Sequence, residues 1–367
     1  MTGTATRFFG KGHTARGVHF LYPSALQGAE KRIELQGPPG TGKSTALRRL
    51  ADHLLTQGTD IQCFHSPLYP DDLDALYIPS RRIAVADASV CGGLPESSAV
   101  QRTELRFDEA AEPGRLTEEQ RQELRELEER LQPAYEEAYA LFAEALRIHD
   151  EWEQYYIGSM DFAKADEVAS ETALSLFGET RIEKTAQVRH VFFGAATPRG
   201  AVDHIQNLTA SCGRRIFIKG RAGSGKSTLL KRLAAEAEAR GIDVEVFHCG
   251  FDPNSLDMLI FPELGTAIFD STAPHEYFPD RAEDEVLDMY ERVLPAGIDE
   301  RYAGDLAAVK ARYSNAMKKA TAQLGEVQRI DARIKELYGT VTDYATADRL
   351  SARLLAEVED LSAPAAK

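Results

Sequence analysis

Apolar residues along this chain fall into short blocks, and the blocks come twice. Residues 32–36 (RIELQ) and 215–219 (RIFIK) are brief β-type runs, each entering a glycine-rich segment. Helical spacing of apolar positions follows over 44–56 and 227–240, stopped by Gly58 and Gly241. Next come runs ending in histidine, IQCFH (61–65) and VEVFH (244–248), then runs ending in aspartate, IAVAD (83–87) and TAIFD (266–270). Strand, helix, strand and strand in this order predict an α/β fold, each sheet mainly parallel with covering helices.

The pattern then turns helical and amphipathic. Thr117 opens LTEEQRQELRELEERL with a capping-box signature, and Pro133 predicts a break or kink before helix resumes over 134–156. A matching tract spans 300–337. One charged and one apolar face predict a helical hairpin inserted in, and packed on, its own domain. A lid over a ligand and an interface between the halves are the alternatives.

The two series are in register. Lys43 and Lys226 lie 183 positions apart, and the same offset relates His65 to His248, Asp74 to Asp257, Pro79 to Pro262 and Asp87 to Asp270. Upstream, RFFGKGHTARG (7–17) answers VFFGAATPRG (191–200) with one residue of slippage. Downstream the offset becomes 182, where DFAKAD (161–166) matches DYATAD (343–348). Convergent loops would not share such remote positions, so the chain reads as a tandem duplication with domains at 1–182 and 183–367.

The glycine-rich segments, GPPGTGKST and GRAGSGKST, both satisfy GxxxxGK[ST]. In the first copy the pattern covers Gly37, Pro38, Pro39, Gly40, Thr41, Gly42, Lys43, Ser44 and Thr45. In the second it covers Gly220, Arg221, Ala222, Gly223, Ser224, Gly225, Lys226, Ser227 and Thr228. Glycines let backbone N–H groups turn inward around phosphate oxygens, and the following helix adds its positive end. Lys43 and Lys226 are expected to reach β/γ-phosphates, with the Ser44 and Ser227 hydroxyls on Mg²⁺. Asp87 and Asp270, closing apolar strands, are the expected acidic partners of that metal, with a strand-end cap as the alternative role. No glutamate follows either aspartate, so the usual base of many ATPases is missing from its usual place. Asp74 and Asp257, or His65 and His248, are candidate bases; Arg16 and Arg199 are candidate donors of positive charge to a phosphoryl transition state. The absence of NKxD and of an LSGGQ-like signature leaves ATP as the expected nucleotide.

Composition narrows the partners. The formal charge of −15, from 43 basic and 58 acidic residues, disfavours nucleic acid and anionic membrane. No apolar run of membrane-spanning length and no leader-like segment is evident, and Cys63, Cys91, Cys212 and Cys249 are widely spaced, so a cytoplasmic location with free thiols is expected.

FFG…RG ahead of the loop, GxxGxGKST, a strand ending in HC, SLD, FDSTAPH and ALRIHDEWEQYY together resemble a bacterial family of tandem P-loop proteins described as predicted ATPases or nucleotide kinases. The resemblance covers nearly the whole chain. It implies two nucleotide sites in an intramolecular pseudo-dimer. Both halves of the family tend to carry TAPH; here only Thr272-Ala273-Pro274-His275 does, while the first copy reads ASVCGG (88–93). The expectation is therefore a slow or regulated Mg²⁺-dependent ATPase in which the second site turns over and the first chiefly binds. Gly92-Gly93 should loosen the first loop, and His275 should add a titratable group near the phosphates of the second. A nucleotide or small-metabolite kinase acting on a phosphoryl acceptor, and a nucleotide-gated module holding an unidentified protein partner, are the alternatives.

Overall fold

The computed structural model describes residues 2–91, 94 and 100–361. The first copy forms β1 (Ala5–Phe9), β2 (Lys11–Thr14), β3 (Gly17–Phe20), α1 (Tyr22–Ala25), β4 (Lys31–Gln36), α2 (Lys43–Thr56), β5 (Ile61–His65), β6 (Leu73–Ile78), β7 (Ile83–Asp87), β8 (Gln101–Arg106), α3 (Glu118–Ile157) and α4 (Phe162–Phe177). The second repeats the series as β9 (Val188–Phe192), β10 (Gly194–Thr197), β11 (Gly200–Asp203), α5 (Ile205–Leu208), β12 (Arg214–Lys219), α6 (Lys226–Ala239), β13 (Val244–His248), β14 (Leu256–Phe261), β15 (Thr266–Asp270) and β16 (Asp284–Asp288). It closes with α7 (Met289–Val293), α8 (Ile298–Arg301), α9 (Ala303–Thr340) and α10 (Tyr344–Asp360).

Twelve of these strands make one mixed, mostly parallel sheet in the order β16-β12-β15-β14-β13-β9-β1-β5-β6-β7-β4-β8. Within each copy only β6, or its counterpart β14, runs against its neighbours. The cause is local. The link from β5 to β6 spans only residues 66–72, too short for the crossover that parallel neighbours require. The copies join where β1 meets β9 in antiparallel fashion, through the single pair Phe9–Phe192. The two strands therefore touch only at their carboxyl ends. Phe8 stacks on both Phe64 and Phe247, at 5.5 and 6.2 Å between ring centroids, and so ties one apolar layer across the junction.

The long helices do not stay with their own copy. α3 and α9 pack antiparallel: Leu124, Leu127 and Ala134 meet Val327–Leu337 residues near the first copy, and Phe142 meets Ala320 and Leu324 midway. The far end of α3 places Tyr156 in the core of the second copy, where α4 adds Val168, Leu176 and Phe177 against Leu229, Leu230 and Leu233 of α6. In return α10 lays Leu350, Leu354 and Val358 on Leu47, Leu50 and Leu54 of α2. Burying those three α10 side chains stabilises the docking by roughly 1.5–3 kcal/mol each. The expected hairpin on its own domain is thus corrected: it is built from one helix of each copy, and each copy's last helix covers the other.

Helix length makes the exchange possible. Nine inter-strand steps separate β12 from β4, about 43 Å at ~4.8 Å per step. A helix of 40 residues reaches about 60 Å. The predicted break at Pro133 does not occur, because α3 runs through it. Pro133 is exposed, so water can serve the carbonyl it leaves unbonded, while Leu127 and Ala134 on either side are held against α9.

No helix among the described residues is long and apolar enough to cross a membrane. All four cysteines are free thiols.

Candidate functional site

Each glycine-rich segment turns from the end of a strand, β4 or β12, into a 14-residue helix, α2 or α6. Gly42 (φ 95°) and Gly225 (φ 84°) hold the left-handed N-cap positions, a backbone that a Cβ would strain. Lys43 and Lys226 begin the helices and fold back into the loops. Lys43 Nζ donates to the carbonyl oxygens of Gly37 and Pro38, and Lys226 Nζ to that of Arg221 at 2.8 Å. Burial pushes the Lys43 ammonium down against the attraction of Asp87.

The strand-end aspartates face these lysines identically. Asp87 Oδ2 lies 3.6 Å from Lys43 Nζ, and Asp270 Oδ2 lies 3.6 Å from Lys226 Nζ. The other oxygen of each carboxylate accepts from the N–H and hydroxyl of the residue two ahead, Ser89 or Thr272. Each aspartate thus caps the turn after its strand with one oxygen and faces the loop lysine with the other. Ser44 Oγ accepts from the N–H of Leu73 at 3.4 Å, and Ser227 Oγ from that of Leu256 at 2.9 Å. Thr45 and Thr228 stand exposed in the first helical turn. Thr41 Oγ1 donates to the Pro38 carbonyl at 2.9 Å, whereas its counterpart, Ser224 Oγ, is buried with no hydrogen-bond partner among the described residues.

Asp74 and Asp257 also come to these sites. The antiparallel register pairs Ala75 with Ala86 and Met258 with Phe269, so one step further Asp74 faces Asp87 and Asp257 faces Asp270. Burial raises both carboxyl pKa values, and the facing aspartate raises them further. The two copies answer this differently. Lys11 Nζ stands 3.2 Å from Asp74 Oδ2, and the Tyr22 hydroxyl donates to the same oxygen at 3.3 Å. The corresponding stretch of the second copy, Gly194-Ala195, carries no cation, and the Cys249 thiol is the polar neighbour of Asp257 instead.

Arg16 and Arg199 sit on equivalent turns, each with its N–H on a threonine hydroxyl (Thr14 or Thr197). Both reach into the opposite copy: Arg16 Nε lies 2.6 Å from Asp252 Oδ1, and Arg199 Nη1 lies 2.9 Å from Asp71 Oδ2. His65 and His248 bond the carbonyls of Pro70 and Pro253 and shape the loops after β5 and β13. Burial lowers the pKa of both. His275 pairs with Asp203 at 2.7 Å. Gly92-Gly93, expected to loosen the first loop, lie outside the described residues.

A lid was one alternative at the sequence level; what sequence reasoning missed is that each copy covers the other's loop. A Cβ on Gly223 (φ 74°) would fall 2.7 Å from the carbonyl oxygen of Glu153, on α3 of the first copy. A Cβ on Gly40 (φ 82°) would fall 2.4 Å from the carbonyl oxygen of Lys335, on α9 of the second. Each loop is thus roofed by the other copy's helix, at a distance only glycine permits. Glu153 and Lys335 differ by 182, the downstream offset of the repeat; that arithmetic was the available signal.

Compared with family models, curated proteins and solved structures, the chain matches none.

Proposed function

We propose that the chain is an intramolecular pseudo-dimer of two P-loop NTPase domains that binds two ATP·Mg²⁺ and hydrolyses ATP slowly. One observation carries the reading: in both copies a lysine folds into a glycine-turned loop at 3.6 Å from a strand-end aspartate. Turned glycines at a helix N-terminus suit phosphate oxygens, and the buried, unpartnered Ser224 hydroxyl suits a polar ligand in the second loop. Under this reading the backbone over Gly37–Gly42 and Gly220–Gly225 cradles the phosphates. Lys43 and Lys226 leave their loop carbonyls for the β/γ-phosphates, and Thr45 and Thr228 serve the α-phosphate side. Ser44 and Ser227, with Asp87 and Asp270, would hold Mg²⁺, which when bound would supply charge neutralisation at the phosphoryl group. Arg16 and Arg199 bring positive charge from the opposite copy.

Calorimetric titration with ATP and Mg²⁺ is expected to give two sites per chain, and a phosphate-release assay slow turnover. A single site, or none, refutes the proposal. The roofing helices also suit a phosphotransferase that shields its phosphoryl group from water; ADP release stimulated by added nucleosides or nucleotides would select that reading.

A further inference from the structure

α3 and α9 bring opposite charges to equivalent places over the two loops. Position 153 of α3 lies on Gly223, and there the residue is glutamate; position 335 of α9 lies on Gly40, and there it is lysine. The flanking residues diverge in step. His149 and Asp150 accompany Glu153, with His149 Nδ1 at 3.7 Å from Glu153 Oε1. Asp331, the counterpart of His149, is spent on Lys335 at 3.0 Å, and the Lys335 ammonium lies 3.4 Å from the centre of the Tyr69 ring.

Each charge reaches the lysine of the loop beneath it. Glu153 is attracted by Lys226 and packs against Gly223, while Lys335 repels Lys43. The second loop therefore has an acidic residue of the other copy packed on it, beside the N–H groups that would meet phosphate. The unpartnered hydroxyl of Ser224, next along the chain, marks the same loop as built for a further polar group. Neither β7 nor β15 is followed by a glutamate, so a base for hydrolysis must come from elsewhere.

Building on the two-site ATPase reading, we infer that Glu153 is the water-activating base of the second site, supplied across the pseudo-dimer, and that Lys335 makes the first site a holding site by adding a second ammonium to the bound phosphates. With phosphate in the loop, the Glu153 carboxylate, packed beside Gly223, faces the terminal phosphoryl group. In the step it accepts a proton from water as the water oxygen bonds to the γ-phosphorus. The bond from that phosphorus to the β,γ-bridging oxygen breaks, and its electron pair leaves with ADP. The proton passes on to the released phosphate or to solvent. Burial, with Asp150 adding to it, raises the Glu153 pKa and so strengthens the base. At the first site the equivalent position holds an ammonium in place of a carboxylate, and an added cation tightens phosphate binding.

The test uses the full chain. Glu153→Gln is expected to lower kcat for phosphate release 10²-fold or more, within the range of general-base catalysis, while both ATP dissociation constants stay within about threefold. Glu153→Asp should recover part of the rate and keep the pH profile of a carboxylate base. In a Lys226→Ala background, where only the first site binds, Lys335→Gln should weaken ATP binding about tenfold. Matching thermal midpoints and helical signal exclude misfolding. Retention of kcat within threefold in Glu153→Gln overturns the assignment of the base, as does loss of second-site binding. An unchanged first-site dissociation constant in Lys335→Gln overturns the holding role. Failure of the wild type to bind two nucleotides would instead sink the two-site reading beneath both.

Discussion

Asp74 and Asp257 occupy equivalent positions, yet replacing each by asparagine should change stability in opposite directions. Asp257 is buried opposite Asp270 without the close ion pair that Lys11 gives Asp74, and burial, then the like charge, pushes its carboxyl up to about 6 from an ordinary 3.8. A folded-state pKa above the unfolded one means that ionisation opposes folding. The penalty is absent below pH 4, grows as pH rises toward 6, and is complete above it. Two units at about 1.4 kcal/mol each set a ceiling on the order of 3 kcal/mol. Asp257→Asn should therefore stabilise the metal-free protein by about 1–3 kcal/mol at pH 7.5 and change little at pH 4. Asp74 is also raised, but its carboxylate faces Lys11, whose side chain is only 10% exposed. Asp74→Asn leaves that ammonium buried without its counter-charge, and breaking such pairs typically costs about 3–5 kcal/mol. Urea denaturation of both variants with chelator present, at pH 4, 6 and 7.5, measures the contrast. Equal signs in the two copies would refute the reasoning, as would an Asp257→Asn effect independent of pH.

Loss of either loop lysine should remove one of two bound nucleotides; Lys226→Ala should abolish most phosphate release, whereas Lys43→Ala should leave appreciable activity with altered ATP dependence, both read by calorimetry and a phosphate assay. Asp270→Asn should weaken Mg²⁺-dependent turnover far more than metal-free nucleotide binding, and unchanged Mg²⁺ dependence would remove the metal role. Leu354→Ala should cost about 2–5 kcal/mol by opening a cavity between α10 and α2. Because α10 covers the first copy, the variant should also weaken nucleotide binding at Lys43 more than at Lys226, as single-site titrations in the lysine variants would show.

How much of this was legible in the chain depended on whether the signal was local. The strands around Arg32–Glu34 and Arg215–Phe217 announce themselves by short apolar runs beside glycine. The aspartates at their neighbours' ends follow from the repeat, because backbone hydrogen bonding confines such residues to one edge of the sheet. Edge strands β8 and β16 gave no such signal, since QRTELR is largely exposed, DEVLD is at most half-buried, and both carry little apolar alternation. The roof over each loop was hidden for another reason. Amphipathic spacing says that α3 has an apolar face but not which surface receives it, and both copies offer nearly the same surface. Only the register of two 38–40-residue helices, and the single Phe9–Phe192 joint that sets the copies tip to tip, decides that Glu153 lands on Gly223.

That arrangement bears on how two sites in one chain would influence each other. Coupling requires that a ligand at one site bind two conformations with different affinity, and that the other site differ between them. Here no long relay is needed. Under the two-site reading, phosphate entering the second loop would come against Glu153, which packs on Gly223 and belongs to a helix whose other end packs with α9 beside the first copy. α9 in turn carries Lys335 onto Gly40. A movement of the α3–α9 pair as a unit would therefore change the cover of both loops together. The cross-copy pairs Arg16–Asp252 and Arg199–Asp71 are exposed enough for solvent to screen them, with arginine side chains 48% and 53% accessible. They can be exchanged cheaply during such a shift. The buried Ala138, Phe142, Ala320 and Leu324 contacts midway along the seam cannot. They hold the two helices as one lever, which favours two discrete settings over a continuous slide.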